Sequence, residues 1–310
     1  MFKKIFYALI IFFAALFITG YFFTKPIVLS LSRMKLQSAF KDASVSVRGC
    51  GFKPRLISFY GIEIKKDKTY DIKIQEVRIV YDFKSLLNKN ITKVLFSNVS
   101  IDVNPLKTFS INRIDVLNLN PDSGELYIPK INYDNLKTGE IKSRMKFSAN
   151  AVLMSPLSID FFGGSIAGDL NILILSSDVV KYSFNLKALD LNIKSFIEDF
   201  KLTDKVEMTG RLEGAASMSG SGAVINELQG DFFTDKNGGT LVIKDNKFLE
   251  NISKDTKQPL DIIVESFKNY NYNSGMLKLY LSGGNIILNI NLNGEKGKRD
   301  FTVVLHDLGK

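Results

Sequence analysis

One histidine and one cysteine in 310 residues remove most of the chemistry that a chain of this size could perform. A hydrolytic triad needs a base held beside its nucleophile, and no serine carries a signature that would pair it with His306, four residues from the C-terminus. Zinc sites, structural or catalytic, draw on His and Cys ligands that are nearly missing. The lone Cys50 cannot close an intrachain disulfide, so the fold does not depend on an oxidising compartment. Acidic residues are scattered, with nothing local to mark the facing pair that a glycosidase requires. Two glycine clusters, Gly163-Gly164-Ser-Ile-Ala-Gly168 and Gly210 through Gly222, match neither G-x-G-x-x-G nor the G-K-[ST] ending of phosphate loops. They read as turns and bulges of a β-sheet. The net charge of +9 is spread along the chain without a basic stripe or nucleic-acid motif. It reads as a solvated basic surface, with a general attraction to anionic headgroups as the sharper alternative. The chain is therefore expected not to be an enzyme, and to use no cofactor, no metal and no nucleic acid.

Charge is missing from one further place. Ile5 to Thr24 contains no charged residue, with Lys3-Lys4 before it and Lys25-Pro26 after it. Twenty such residues span about 30 Å as a helix at ~1.5 Å each, the thickness of a bilayer's hydrocarbon core. Tyr21, Phe22 and Phe23 suit an interfacial aromatic belt, whereas a peptidase site wants small residues. The run is read as an uncleaved single-pass anchor over residues 5–24, carried by Ile5, Leu9, Phe12, Phe13, Leu16, Phe17, Tyr21, Phe22 and Phe23. Residues 1–4 form its cytoplasmic tail. Sidedness is contested within the sequence. Lys25, Arg33, Lys35 and Lys41 lie close behind the span and argue, by the positive-inside count, against export of the C-terminal part. A short basic N-terminus leading at once into an apolar core is nevertheless the plan of an export signal.

Beyond Pro26 the pattern has period 2. Met145, Phe147, Ala149, Ala151 and Leu153 alternate with polar or small residues, as do Tyr182, Phe184 and Leu186. Leu189, Leu191 and Ile193 continue after a change of phase. Leu277, Leu279 and Leu281 run into Ser282-Gly-Gly-Asn285, followed by Ile286, Leu288, Ile290 and Leu292, and Phe301, Val303 and Leu305 add a last strand. Such alternation indicates half-buried strands in antiparallel sheets, with the glycine-rich interruptions as hairpin turns. Asn237-Gly-Gly239 gives another turn before Thr240–Ile243. Without a strand–helix–strand rhythm, a parallel α/β scaffold is not expected. Helical spacing appears only over Val28–Phe40, at Ile193, Phe196, Ile197 and Phe200, and at Leu260, Ile263, Val264 and Phe267 behind Pro259. These short helices should cover sheet ends. No low-complexity linker marks a boundary, so the folded part is one elongated domain or two compact ones.

The order of segments resembles a known family. The anchor and short helix are followed by Val45-Ser-Val47, Pro54–Phe59, Gly61-Ile-Glu-Ile64, Val77–Asp82, Phe83-Lys-Ser-Leu-Leu87 and Ile91–Asp102. Further on come Phe162-Gly-Gly-Ser-Ile-Ala-Gly168, Leu189–Phe200, Val206–Gly214, Leu228-Gln-Gly-Asp231 and Leu260–Phe267 with Leu277–Gly294. This series is similar to the AsmA-like family, bacterial bridge-like lipid transfer proteins of the AsmA, TamB and YdbH type, of which this would be a short member. The resemblance implies a mainly β protein: an N-terminal transmembrane helix, then an elongated, curved antiparallel β-sheet with an apolar concave face and a few short covering helices. It also implies anchorage in the bacterial inner membrane, with residues 25–310 as a periplasmic β-rich domain. The expected partners are membrane phospholipids and other envelope proteins, and the expected role is phospholipid transport between membranes or outer-membrane biogenesis. Candidate groove residues are Phe147, Phe184, Leu186, Leu279, Leu281, Leu288 and Ile290. Alternation alone leaves a second reading open: a membrane-tethered β-sandwich that serves as a scaffold or assembly factor for envelope proteins without carrying lipid.

Overall fold

The computed structural model describes residues 24–40, 42–103, 108–175, 179–222 and 224–305. Apart from Thr24, the anchor expected over Ile5–Thr24 lies outside them, as does His306. Among the described residues no helix is long and apolar enough to cross a membrane. The chain divides into two compact units, one up to Leu119 and one from Asn120 onward.

The first unit opens with helix α1 (residues 24–39) and continues as β1 (Ser44–Lys53), β2 (Leu56–Lys66), β3 (Tyr70–Val80), the short α2 (Phe83–Leu87), β4 (Ile91–Val103) and β5 (Phe109–Leu119). The strands form an antiparallel meander in chain order. Residues opposite one another in paired strands share a face, so register collects the apolar positions into rows. Val47, Ile62, Ile74, Val99 and Ile111 form one row, and Cys50, Phe59, Val77, Phe96 and Ile114 the next. Between these rows every strand steps by three residues instead of two. Gly61 and Asn98 hold positive φ at that level, which breaks the pleat and lets the apolar side resume on the same face. Leu29 and Leu36 of α1, with Phe40 just past its end, pack on the resulting core around Val47, Ile62, Ile64, Val77 and Val94.

The second unit begins with β6 (Ser123–Ile128), β7 (Asn132–Tyr133), β8 (Leu136–Lys137), β9 (Ile141–Phe147), β10 (Ala151–Phe161), β11 (Gly164–Ile174) and β12 (Val180–Asn192). It proceeds through α3 (Ile193–Asp199), β13 (Val206–Met208), β14 (Arg211–Ser221), β15 (Val224–Thr234), β16 (Gly239–Ile243), α4 (Asn246–Thr256) and α5 (Leu260–Lys268). It ends with β17 (Tyr270–Tyr272), β18 (Ser274–Ser282), β19 (Asn285–Gly294) and β20 (Gly297–Leu305). Its main sheet is antiparallel throughout, in the order β6-β9-β10-β11-β12-β14-β15-β18-β19-β20. The chain leaves this sheet twice, after β12 and after β15. The two excursions meet in a small sheet, β13-β16-β17.

That small sheet, α4 and α5 enclose a core of Leu241, Leu249, Ile263, Phe267, Tyr270 and Tyr272, which also takes in Leu292 of β19. Helix α5 buries Ile263 and Phe267, one turn apart. Helix α4 starts at Asp245, whose carboxylate accepts from the Phe248 N–H, and ends at Lys257 in the left-handed conformation. The phenol of Tyr270 donates to the carbonyls of Leu292 and Gly297, and that of Tyr272 to the carbonyl of Thr209. Burial pushes the Tyr272 phenol well above its ordinary value, with the nearby Asp235 charge adding to it.

The run from Met145 to Leu153 is not one strand. It folds at 148–150 into the β9–β10 hairpin, in which Phe147 pairs with Val152. Leu153 consequently points to the opposite face and is exposed. The phase change before Leu189 is a bulge in β12, with a register shift between Ala188 and Leu191 and Asp190 at positive φ. Glycine-cluster members Gly168, Gly214 and Gly220 lie within strands β11 and β14, not at turns. Gly214 and Gly220 stand opposite Phe232 and Tyr182. A Cβ on Gly220 would come within 2.5 Å of the Tyr182 ring, and one on Gly214 within 2.9 Å of the Phe232 ring. These glycines make room for aromatic rings lying across the sheet.

Candidate functional site

The main sheet of the second unit has two chemically different faces. On β12 the side chains of Lys181, Ser183, Asn185 and Lys187 alternate with Tyr182, Phe184, Leu186 and Ala188. Register carries each set across the neighbouring strands. One transverse row runs Met145–Met154–Leu170–Phe184–Met218–Leu228. The next runs Leu157–Gly168–Leu186–Ala216–Gly230–Leu279–Leu288–Val303. A third runs Ile159–Ile166–Ala188–Gly214–Phe232–Leu277–Ile290–Phe301. The reverse face carries Asp169, Asn171, Ser217, Gln229, Asp231 and Lys278, and at its margins Leu153, Phe233, Tyr280, Ile287 and Val304.

All seven candidate groove residues fall on the apolar face. Phe184, Leu186, Leu279, Leu288 and Ile290 sit in the rows above. Leu281 is two positions beyond Leu279 and opposite Ile286. Phe147 reaches the same side through Val152, Ile172 and Tyr182. A one-residue slip would have moved any of them to the polar side. Sequence alternation could not set the relative phase of nine strands, and the register does.

Burial separates the face into zones. Met145, Leu157 and Ala188 are buried, and so is Leu292, inside the closed core. Ile290 and Phe301 pack against the edge of that core. Phe147, Phe184, Leu186, Leu279, Leu281 and Leu288 are only half-buried, as are Met218, Leu228 and Ile172. A face covered by a second layer would bury such side chains almost completely. Half-burial means that they are shielded by their in-sheet neighbours and open above. Gly168 between Leu157 and Leu186, and Ala216 with Gly230 between Leu186 and Leu279, keep this surface low.

Sequence reasoning missed Met154, Leu170, Met218, Leu228 and Phe232 as members of this face. Met218 sits in a stretch rich in Gly, Ala and Ser, and Leu228 in one where Val224-Ile225 and Phe232-Phe233 interrupt the alternation. At the end of the sheet near α3, Phe162, Phe196 and Phe200 stack on one another with centroid separations of 5.5 and 4.5 Å. Phe196 and Phe200 are exposed. Beside them a cavity of about 590 Å³ is lined by Lys130, Lys137, Asp160, Ser195 and Asp199. Among the described residues no cluster of His, Cys, Asp and Glu could hold a metal ion.

No protein-family model, no curated protein and no solved structure matches this chain.

Proposed function

We propose that the chain is a membrane-anchored lipid carrier of the AsmA-like type, with its β-rich part in the periplasm and the apolar face of the second unit's main sheet as the surface that holds acyl chains. The carrying observation is the continuous apolar face over β9–β20, half-buried at Phe184, Leu186, Leu279 and Leu281 and backed along β11, β12 and β14 by a mainly polar face. Monomeric proteins seldom leave a contiguous apolar surface of this kind open unless something binds there. An acyl chain laid along it escapes water at about 0.8 kcal/mol per CH₂, while the headgroup stays hydrated at the rim. The proposed role is carriage of the lipid, not its conversion. The membrane anchor is read from the uncharged run Ile5–Thr24, while the inner-membrane and periplasmic placement and the role in phospholipid movement between membranes or outer-membrane biogenesis rest on the resemblance in segment order.

The test is site-specific photo-crosslinking of the full chain in cells fed radiolabelled phosphate. Benzoylphenylalanine replaces Phe184 or Leu281 on the apolar face, and Asn185 or Lys278 on the polar face. Labelled phospholipid adducts at the first pair and none at the second are expected. Adducts to another envelope protein at Phe184 and Leu281, with no lipid, would instead support the scaffold reading.

A further inference from the structure

Helix α1 has two apolar stripes. Leu29, Leu36 and Phe40 face the first unit's core, and on that side Arg33 donates to the Val47 carbonyl and Gln37 to the Ala43 carbonyl. Ile27, Leu31 and Met34, at i, i+4 and i+7, lie on the opposite side of the helix axis. They are 55%, 49% and 59% exposed. A helix already seated on its core gains nothing from a second apolar stripe turned to water.

The charge around the stripe indicates what covers it. From Met1 to Lys41 there is no Asp or Glu, and Lys3, Lys4, Lys25, Arg33, Lys35 and Lys41 are all basic. Helix α1 also comes directly after the uncharged run Ile5–Thr24. A basic helix with an apolar outer stripe is built for the headgroup–acyl boundary of an anionic membrane. A second copy of the chain packed through the same stripe would bring two such basic helices together, and like charges oppose that contact.

We infer that α1 lies in the surface of the anchoring bilayer, with Ile27, Leu31 and Met34 in the acyl boundary and Lys35 at the level of anionic headgroups. The first unit's sheet is thereby seated on the membrane instead of hanging from a flexible tether. This rests on reading Ile5–Thr24 as a membrane anchor.

The test uses the full chain with Cys50→Ser, reconstituted into vesicles of equal parts phosphatidylethanolamine and phosphatidylglycerol, or of phosphatidylcholine alone. A bimane fluorophore is placed through Leu31→Cys, Met34→Cys, Ala15→Cys or Arg78→Cys, and quenching by spin-labelled lipids of known depth is read. Arg78 alternates with Val77 and Ile79 and points away from α1. Expected are deep quenching at residue 15, shallow quenching at 31 and 34 that is stronger in the anionic vesicles, and none at 78. Quenching at 15 with none at 31 and 34 would overturn the seating and leave the anchor standing. No quenching at 15, 31 or 34 would remove the anchor and the seating together. Disulfide-linked dimers of the unlabelled Met34→Cys protein would assign the stripe to a second copy and overturn the inference.

Discussion

At the scale of single residues, a buried carboxylate among the described residues of the first unit tests how its polar side is held. Asp115 is 4% exposed, with Lys93 Nζ at 2.7 Å from one carboxylate oxygen and the Arg113 guanidinium at 2.8 Å from both. The Arg113 hydrogen bonds, followed by those of Lys93, hold its pKa below the ordinary carboxylate value against the effect of burial. The folded state therefore favours the charged form. The resulting stabilisation is present above the ordinary carboxylate pKa of ~4 and is lost as the pH falls through the folded value. Asp115→Asn removes the carboxylate charge that Lys93 and Arg113 share. It should cost about 1–2 kcal/mol at neutral pH, given that Lys93 and Arg113 are partly solvated. Urea unfolding at pH 7 and pH 3 checks this. The difference between the two proteins should shrink at the lower pH, and a difference independent of pH would mean that Asp115 acts through packing alone.

At the scale of elements, β19 runs from an open surface into a closed core along one face. Leu292 is 1% exposed within the cluster around Tyr270 and Tyr272, whereas Leu288, four residues earlier, is half-buried between Leu279 and Val303. Leu292→Ala should cost about 3–4 kcal/mol, the range for a cavity in a packed interior. Leu288→Ala should cost under about 2 kcal/mol, because its site is already open to solvent. Equal costs, read from denaturant midpoints of the two variants, would mean that the face at Leu288 is covered as tightly as the core. The strands themselves were legible, since alternation is what a two-faced sheet requires, and so were α1, α3 and α5, whose apolar residues recur one turn apart. Helix α4 was not, because its buried contribution comes down to Leu249 and Ile252 amid polar residues. Only the cap at Asp245 marks its start. The hairpin at 148–150 was hidden for a related reason: Ala149 and Ala151 continued the period through a turn that carries neither Gly nor Pro. The face of each strand was unreadable in principle, since phase is set by partners distant in sequence.

For the molecule as a whole, the two units solve the same problem differently. In the first, α1 packs onto the apolar face of the five-stranded sheet. In the second, α4, α5 and the small sheet close the end near Leu292, and beside the buried Met145, Leu157 and Ala188 the same face keeps Phe147, Phe184, Leu186, Leu279, Leu281 and Leu288 at intermediate exposure. A protein that leaves such a face open should be stabilised by whatever occupies it, since a ligand that binds only the folded state adds about 2.7 kcal/mol at a hundred times its Kd. Delipidated full-length protein should therefore melt at a higher temperature when a lysophospholipid is added below its micellar concentration. Glycerophosphocholine, which keeps the headgroup and lacks the chain, should have no effect. Polar substitution on the open face, Phe184→Ser with Leu281→Ser, should abolish the lipid-induced shift while lowering the lipid-free melting only modestly, because neither side chain is fully buried. A shift that survives in this variant would place the acyl chain elsewhere. A large fall in the lipid-free melting temperature would show that Phe184 and Leu281 belong to a closed core, which is the arrangement a tethered sandwich requires and an open lipid-carrying face does not.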